Sequence, residues 1–73
     1  MTFGKWLKIK LRQNKVLQQE LAKKINVAEN TDTSWVTDNR EPSVPNFIWL
    51  VSFIAETEDA PEYEIYNEAS SYF

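Results

Sequence analysis

Apolar residues in the first thirteen positions recur with helical spacing. Phe3, Leu7 and Leu11 fall at i, i+4 and i+8 on one face, with Trp6 beside them. Lys5, Lys8, Lys10 and Arg12 occupy much of the remaining surface. Thr2 can cap the first turn, so a helix is predicted from there to about Gln13, with a break at Asn14-Lys15. A second helix reads from about Leu17 to Ile25, with Leu21, Ala22 and Ile25 inward. Asn26 tolerates the left-handed conformation that ends a helix, and Val27 follows as a buried plug. The stretch from Glu29 to Thr37 predicts a short third helix, closed by the turn pair Asp38-Asn39.

Ser43 then caps a fourth helix, with Pro45 in its first turn, where a missing N–H does no harm. That helix runs from Val44 to about Ala55 and is the most apolar, with Phe47, Ile48, Leu50, Val51 and Ile54 as its core side. Asp59 and Glu62 have capping-box spacing around Pro61, which predicts a fifth, weaker helix from about Ala60 to Ala69 carrying Tyr63, Ile65 and Tyr66. The end, Ser70 to Phe73, is expected to fray. The pattern as a whole predicts an all-α, compact five-helix domain.

Composition narrows the function classes. Seventy-three residues make one domain, spanning 1–73. A chain this short buries only about 60% of its unfolded surface, so its stability is expected to be modest. It has no cysteine and no histidine, which removes disulfides, thiolate metal sites and zinc, and fits a cytoplasmic protein. The N-terminus mixes lysines through its apolar residues and shows no small-residue cleavage site, unlike a signal peptide. The longest apolar run, Phe47 to Val51, is far short of a membrane span. There is no glycine-rich phosphate loop, no histidine base and no cysteine nucleophile. An enzyme, a cofactor and a small-molecule substrate are therefore not expected.

Charge is divided between the halves. Residues 1–40 hold all eight basic residues and four acids; residues 41–73 hold seven acids and no base. The first half can face phosphate, whereas the second is repelled by it. The acids from 56 onward are expected to form a solvated segment facing away from DNA.

Two short helices joined by a tight turn, with Leu21-Ala22, Ile25 and then the apolar Val27, form a helix-turn-helix signature over about residues 17–37. Alanine is needed at position 22 because the next helix crosses close to that backbone. Trp35 falls where an apolar residue anchors the second helix, and Arg40-Glu41-Pro42-Ser43 leads into the next core helix.

With Phe3-Gly4, Leu7, Gln18 to Val27, Thr31, Trp35, Arg40, Pro42-Ser43 and the apolar pattern through Ile54, the chain resembles the XRE family. These are small helix-turn-helix proteins of the phage Cro and repressor type. The resemblance covers about residues 2–58. It implies a lambda-repressor-like fold of five helices, dimeric binding to double-stranded operator DNA, and regulation of transcription without enzymatic activity. It places Gln18, and beside it Gln19, at the start of the first motif helix, bracing phosphate. It places Glu29, Asn30, Thr31, Thr33 and Ser34 on the recognition helix, and Asn39 and Arg40 in a loop that touches phosphate. Asn30 can pair with adenine, and Glu29 can accept from the amino group of cytosine.

The chain departs from that pattern in three places. Asp32 stands where the family usually has Ile or Val on the buried side of the recognition helix. Burying a lone carboxylate costs several kcal/mol, so either Asp32 is exposed as the cap of a shortened helix or this region is locally unstable. Asp38 replaces the usual turn glycine and adds negative charge. The recognition region itself lacks Lys and Arg, leaving Lys15, Lys23, Lys24 and Arg40 at its edges.

Trp49 and Phe53 are i, i+4 neighbours off the main core stripe of the fourth helix. The C-terminal segment, with Tyr63, Tyr66 or Phe73, is expected to fold back over Trp49. Whatever it leaves open is an aromatic patch of the kind used in protein interfaces. This patch supports an alternative: an antirepressor or modulator that grips a repressor protein instead of DNA.

Overall fold

Every junction between helices in this chain passes through one left-handed residue, and none of those residues is glycine. The computed structural model describes residues 1–72. It comprises α1 (Phe3–Gln13), α2 (Gln18–Lys24), α3 (Glu29–Val36), α4 (Val44–Glu58) and α5 (Glu62–Ser70), with no strand among the described residues. Lys15, Asn26, Asp38 and Asp59 have φ of 57°, 60°, 61° and 55°. At each, the N–H of the following residue returns to a carbonyl five back: Val16 to Leu11, Val27 to Ala22, Asn39 to Ser34 and Ala60 to Ala55, all at 2.9 Å. This is the Schellman arrangement, which satisfies carbonyls that a helix end leaves open. Val16, Val27 and Ala60 then press against the core, so Val27 is half-buried instead of sealed inside.

Side chains set the starts of α1, α2 and α4, whereas α3 and α5 follow Ala28 and Pro61 with no side-chain cap. Thr2 Oγ accepts from the Lys5 N–H at 3.3 Å, and Ser43 Oγ accepts from the Asn46 N–H at 3.4 Å. The Leu17 N–H donates to the Glu20 carboxylate at 3.3 Å. The expected Asp59–Glu62 capping box does not form. Asp59 is the left-handed residue that closes α4, and Pro61 stands at the cap of α5. As a result α4 extends past Ala55 to Glu58, and α5 begins at Glu62. At the expected frayed end, α5 continues through Ser70, and the Tyr72 N–H still bonds the Ala69 carbonyl at 3.0 Å. Phe73 lies outside the described residues.

α3 packs on α1 and α2, α5 packs on α4, and α2 touches α4. Leu7, Leu21, Trp35, Leu50 and Ile54 are fully buried at the centre. Phe3 stacks near Trp6 and Phe47, at centroid distances of 5.7 and 6.0 Å, and Phe47 meets the edge of Tyr66 at 5.6 Å. The buried stripe of α4 is Phe47, Leu50, Val51, Ile54 and Ala55. Ile48 stands one residue off that stripe and is half-exposed, so it is not part of the core side.

The acidic second half is not simply solvated. Lys10 Nζ lies 3.2 Å from Glu58 and 3.0 Å from Glu68. The Trp6 indole N–H donates to Glu68 at 2.8 Å, and Asn14 Nδ2 donates to Glu58 at 2.9 Å. Partial burial opposes the charge on Glu68, but the indole and the ammonium outweigh it and hold its pKa below the usual carboxylate range. Burial likewise opposes the charge on Lys10, yet Glu68 and Glu58 raise its pKa above the usual lysine value. The ends of α4 and α5 are thus tied to α1.

Lys15 is the left-handed residue least suited to its place, since a β-carbon there costs about 1–2 kcal/mol and lysine has no short polar group to offset it. Lys15→Gly is expected to stabilise the protein by about 0.5–1 kcal/mol after the loss of unfolded-state restriction. In a domain of this size that is a rise of about 3–6 °C in melting temperature. Asn26→Gly is expected to gain less. Thermal unfolding by circular dichroism decides, and an unchanged or lower melting point for Lys15→Gly would remove strain as the cause.

Candidate functional site

The α2–α3 pair is joined by Ile25 to Ala28 and held by small and large apolar contacts. Ala22 is buried where α3 packs against α2, and its carbonyl accepts the Val27 N–H. On α3, Asp32, Trp35 and Val36 point inward at i, i+3 and i+4. Glu29, Asn30, Thr33 and Thr37 form the exposed side, and Thr31 and Ser34 are half-buried at its margins. Gln19 on α2, and Asn39 and Arg40 after α3, are exposed.

One contact links the two helices on their outer side. Thr33 Oγ lies 3.3 Å from Gln18 Oε1 and 3.2 Å from the Glu29 carbonyl, donating between them. Ser34 Oγ donates to the Asn30 carbonyl at 2.9 Å, and Thr37 Oγ to the Thr33 carbonyl at 2.8 Å. The hydroxyls therefore hold fixed rotamers and keep acceptor capacity outward. The Asn39 and Arg40 N–H groups both reach the Ser34 carbonyl, which sets where that loop leaves the helix.

The four acids flanking and within this segment have different fates. Glu29 is on the exposed side, and Glu41 lies beyond it in the loop. Asp38 turns its carboxylate to the start of α1, accepting from the Thr2 hydroxyl at 2.6 Å and the Gly4 N–H at 2.8 Å. Those two bonds, the hydroxyl first, hold its pKa below the usual range. Asp32 is fully buried within a complete α3, so it is not the exposed cap of a shortened helix. Neither of its carboxylate oxygens has a hydrogen-bond partner among the described residues. Burial, with some repulsion from Glu29, pushes its pKa up to about 6.

Gly4 has a role that the sequence reading missed. A β-carbon there would meet the Trp35 carbonyl oxygen at 2.6 Å and the Asp38 carboxyl at 2.7 Å. The available signal was the placement of the only glycine of the chain inside a helix, where it is unfavourable by about 1 kcal/mol.

Trp49 and Phe53 lie away from the exposed side of α3 and border one shallow depression beside α2, but they differ in burial. Phe53 is half-buried and packs against the core, beside Leu11 and Val16. Trp49 is 62% exposed. Among the described residues the C-terminal segment does not cover it, and Phe73 lies outside them. α5 inserts Ile65 and Ala69 on the side of α4 that carries Val51, while Trp49 borders Lys24 and Ile25 of α2. Tyr63 and Tyr66 remain largely exposed on α5. No helix among the described residues is long and apolar enough to cross a membrane. No protein-family model, curated protein or solved structure matches the chain.

Asp32 titrates with a definite sign. The folded state favours the protonated acid, so this contribution to stability is complete below the ordinary 3.8 and is lost as pH rises through about 6. Its ionised form carries a penalty on the order of 3 kcal/mol. Asp38 and Glu68 act in the opposite sense, contributing above their ordinary values and losing that contribution as pH falls. The difference between Asp32→Val and the parent cancels them. The variant is expected to be more stable by about 1–3 kcal/mol near neutral pH, with the advantage shrinking towards pH 4. Urea titrations at both pH values measure it, and a less stable variant at neutral pH would mean that Asp32 has a needed partner.

Proposed function

We propose that the chain is a small transcriptional regulator that reads operator DNA through α2 and α3. In this reading the two helices are a helix-turn-helix on a lambda-repressor-like, Cro-type framework, as the XRE resemblance implies. The observation that carries it is the Gln18–Thr33 bridge on the exposed side of α3. It fixes an amide side chain at the start of α2 against a polar reading face, where one end can donate to phosphate and the other hold a base-contacting hydroxyl. The charge balance of that face also supports it. Of the three acids on or just after α3, only Glu29 points outward from the helix; Asp32 is buried and Asp38 is bonded to the start of α1.

The roles follow from chemistry. Asn30 offers a donor and an acceptor to adenine, and Glu29 accepts from cytosine. Arg40 and Asn39 touch phosphate, with Lys15, Lys23 and Lys24 adding positive charge at the edges. With so few cations, binding is weak for a monomer, and pairing of two copies on a two-part operator supplies the rest.

A second reading is favoured by Trp49, which is too exposed for a core residue. The chain then acts as an antirepressor or modulator, gripping a repressor protein.

Selection from a random duplex pool, followed by gel shift, tests the first reading. The slope of log affinity against log salt is expected to be about −2.7 to −4.5 per subunit, for about 3–5 neutralised phosphates. Arg40→Ala weakens binding to every duplex alike, whereas Asn30→Ala relaxes one base position by about 1–3 kcal/mol. A salt-independent affinity, or no shift by the protein alone together with loss of a neighbouring repressor's shift, favours the second reading.

A further inference from the structure

We propose that the outer face of α4, with Tyr63 and Tyr66 of α5, is a docking surface for a basic amphipathic helix of a different protein. The inference deepens the second reading, which rests on Trp49; it borders the α2–α3 face only at Lys24 and stands whether or not that face reads DNA.

The surface collects five of the exposed large apolar and aromatic side chains: Val44, Ile48, Trp49, Tyr63 and Tyr66. Val44 and Ile48 lie one turn apart on α4, and Trp49 follows about 100° further round. Ile48, Val51, Glu62, Tyr63 and Tyr66 line a groove of about 290 Å³ between the two helices. Aromatic walls around an apolar floor suit the anchor residues of an incoming helix.

Charge selects the occupant. Glu62 is the one charged residue lining the groove, and Ser52 Oγ donates to its Oε1 at 2.8 Å, which fixes the carboxylate at the rim. Glu56 stands beside Trp49, and Lys24 at the α2 edge is the one base there. Residues 41–73 contain seven acids and no base, so α4 and α5 supply nothing to neutralise a second acidic surface. A two-fold pair of copies would set this patch against itself and bring the Glu56 and Glu62 carboxylates of both copies into one interface. A helix with apolar residues at i and i+3 or i+4, and Lys or Arg between them, fills the groove and pairs those carboxylates.

Trp6 and Trp35 are each 2% exposed, so a change of tryptophan emission reports Trp49. The full chain is titrated with two synthetic helical peptides sharing one leucine pattern, with lysine or glutamate at the polar positions. The lysine peptide is expected to bind at least tenfold more tightly and to shift the emission to the blue. Ile48→Asp, at a half-exposed position that leaves the circular dichroism unchanged, is expected to weaken it at least tenfold although it adds negative charge. Tyr63→Ser gives a smaller loss in the same direction, and Glu62→Gln costs several-fold. Stronger or unchanged binding by Ile48→Asp would reduce the effect to diffuse attraction and overturn the proposal. Failure to bind the lysine peptide, or equal binding of both peptides, overturns it as well. Self-association in sedimentation that Ile48→Asp abolishes would assign the surface to a second copy instead.

Discussion

A methyl group at position 4 would lie 2.6 Å from the Trp35 carbonyl oxygen, so α1 and α3 meet at a distance only glycine allows. The rest of the arrangement depends on that approach. It lets Asp38 reach the Gly4 N–H and the Thr2 hydroxyl, where a carboxylate also complements the positive end of α1. With its C-terminal end fixed there and Trp35 buried beneath, α3 has little freedom to roll about its axis. Which residues it buries and which it presents is then decided. Asp32 goes inside and Asn30 outside by the same rotation.

Two aspartates six positions apart show how much a carboxylate's effect depends on what surrounds it. Asp38 is exposed, doubly bonded and held in its charged form. Asp32 is sealed from water and unpaired, and its environment favours the proton. The first fixes the end of α3 to α1, while the second weakens the packing of the same helix. The same helix is thus fixed at its C-terminal end and carries a destabilising carboxyl in its middle.

Much of this architecture was legible because it is local. Thr2 and Ser43 are caps, Asn26 is a left-handed stop, and the apolar stripes give five helices, all from neighbours within a turn. The outward positions of Glu29, Asn30 and Thr33 follow from helical spacing once Trp35 is taken as buried. What stayed hidden depends on distant partners. Lys10 looks like one more solvated lysine until Glu58 and Glu68 are brought to it. Asp59 fits a cap for α5 by spacing, yet it is used to close α4. Ile48 and Val51 are equally apolar, but Ile48 stands off the buried stripe and the seat of α5 leaves it half-exposed. The same seat leaves Trp49 open, because α5 has one apolar side, Ile65 and Ala69, and it covers the other flank.

The bond from the Trp6 indole to Glu68 spans sixty-two positions. Lys10, one turn further along α1, shares that carboxylate. During translation α1 emerges before α5, and these groups are paired only once residue 68 has cleared the ribosome. Until then its basic surface lacks these carboxylates and Trp6 lacks this acceptor, so the nascent chain presents an amphipathic cationic segment. Helices α1 to α3 can associate early, through contacts close in sequence. The final closure waits for α5, and the chain is most vulnerable to proteases and to wrong partners in the interval before it.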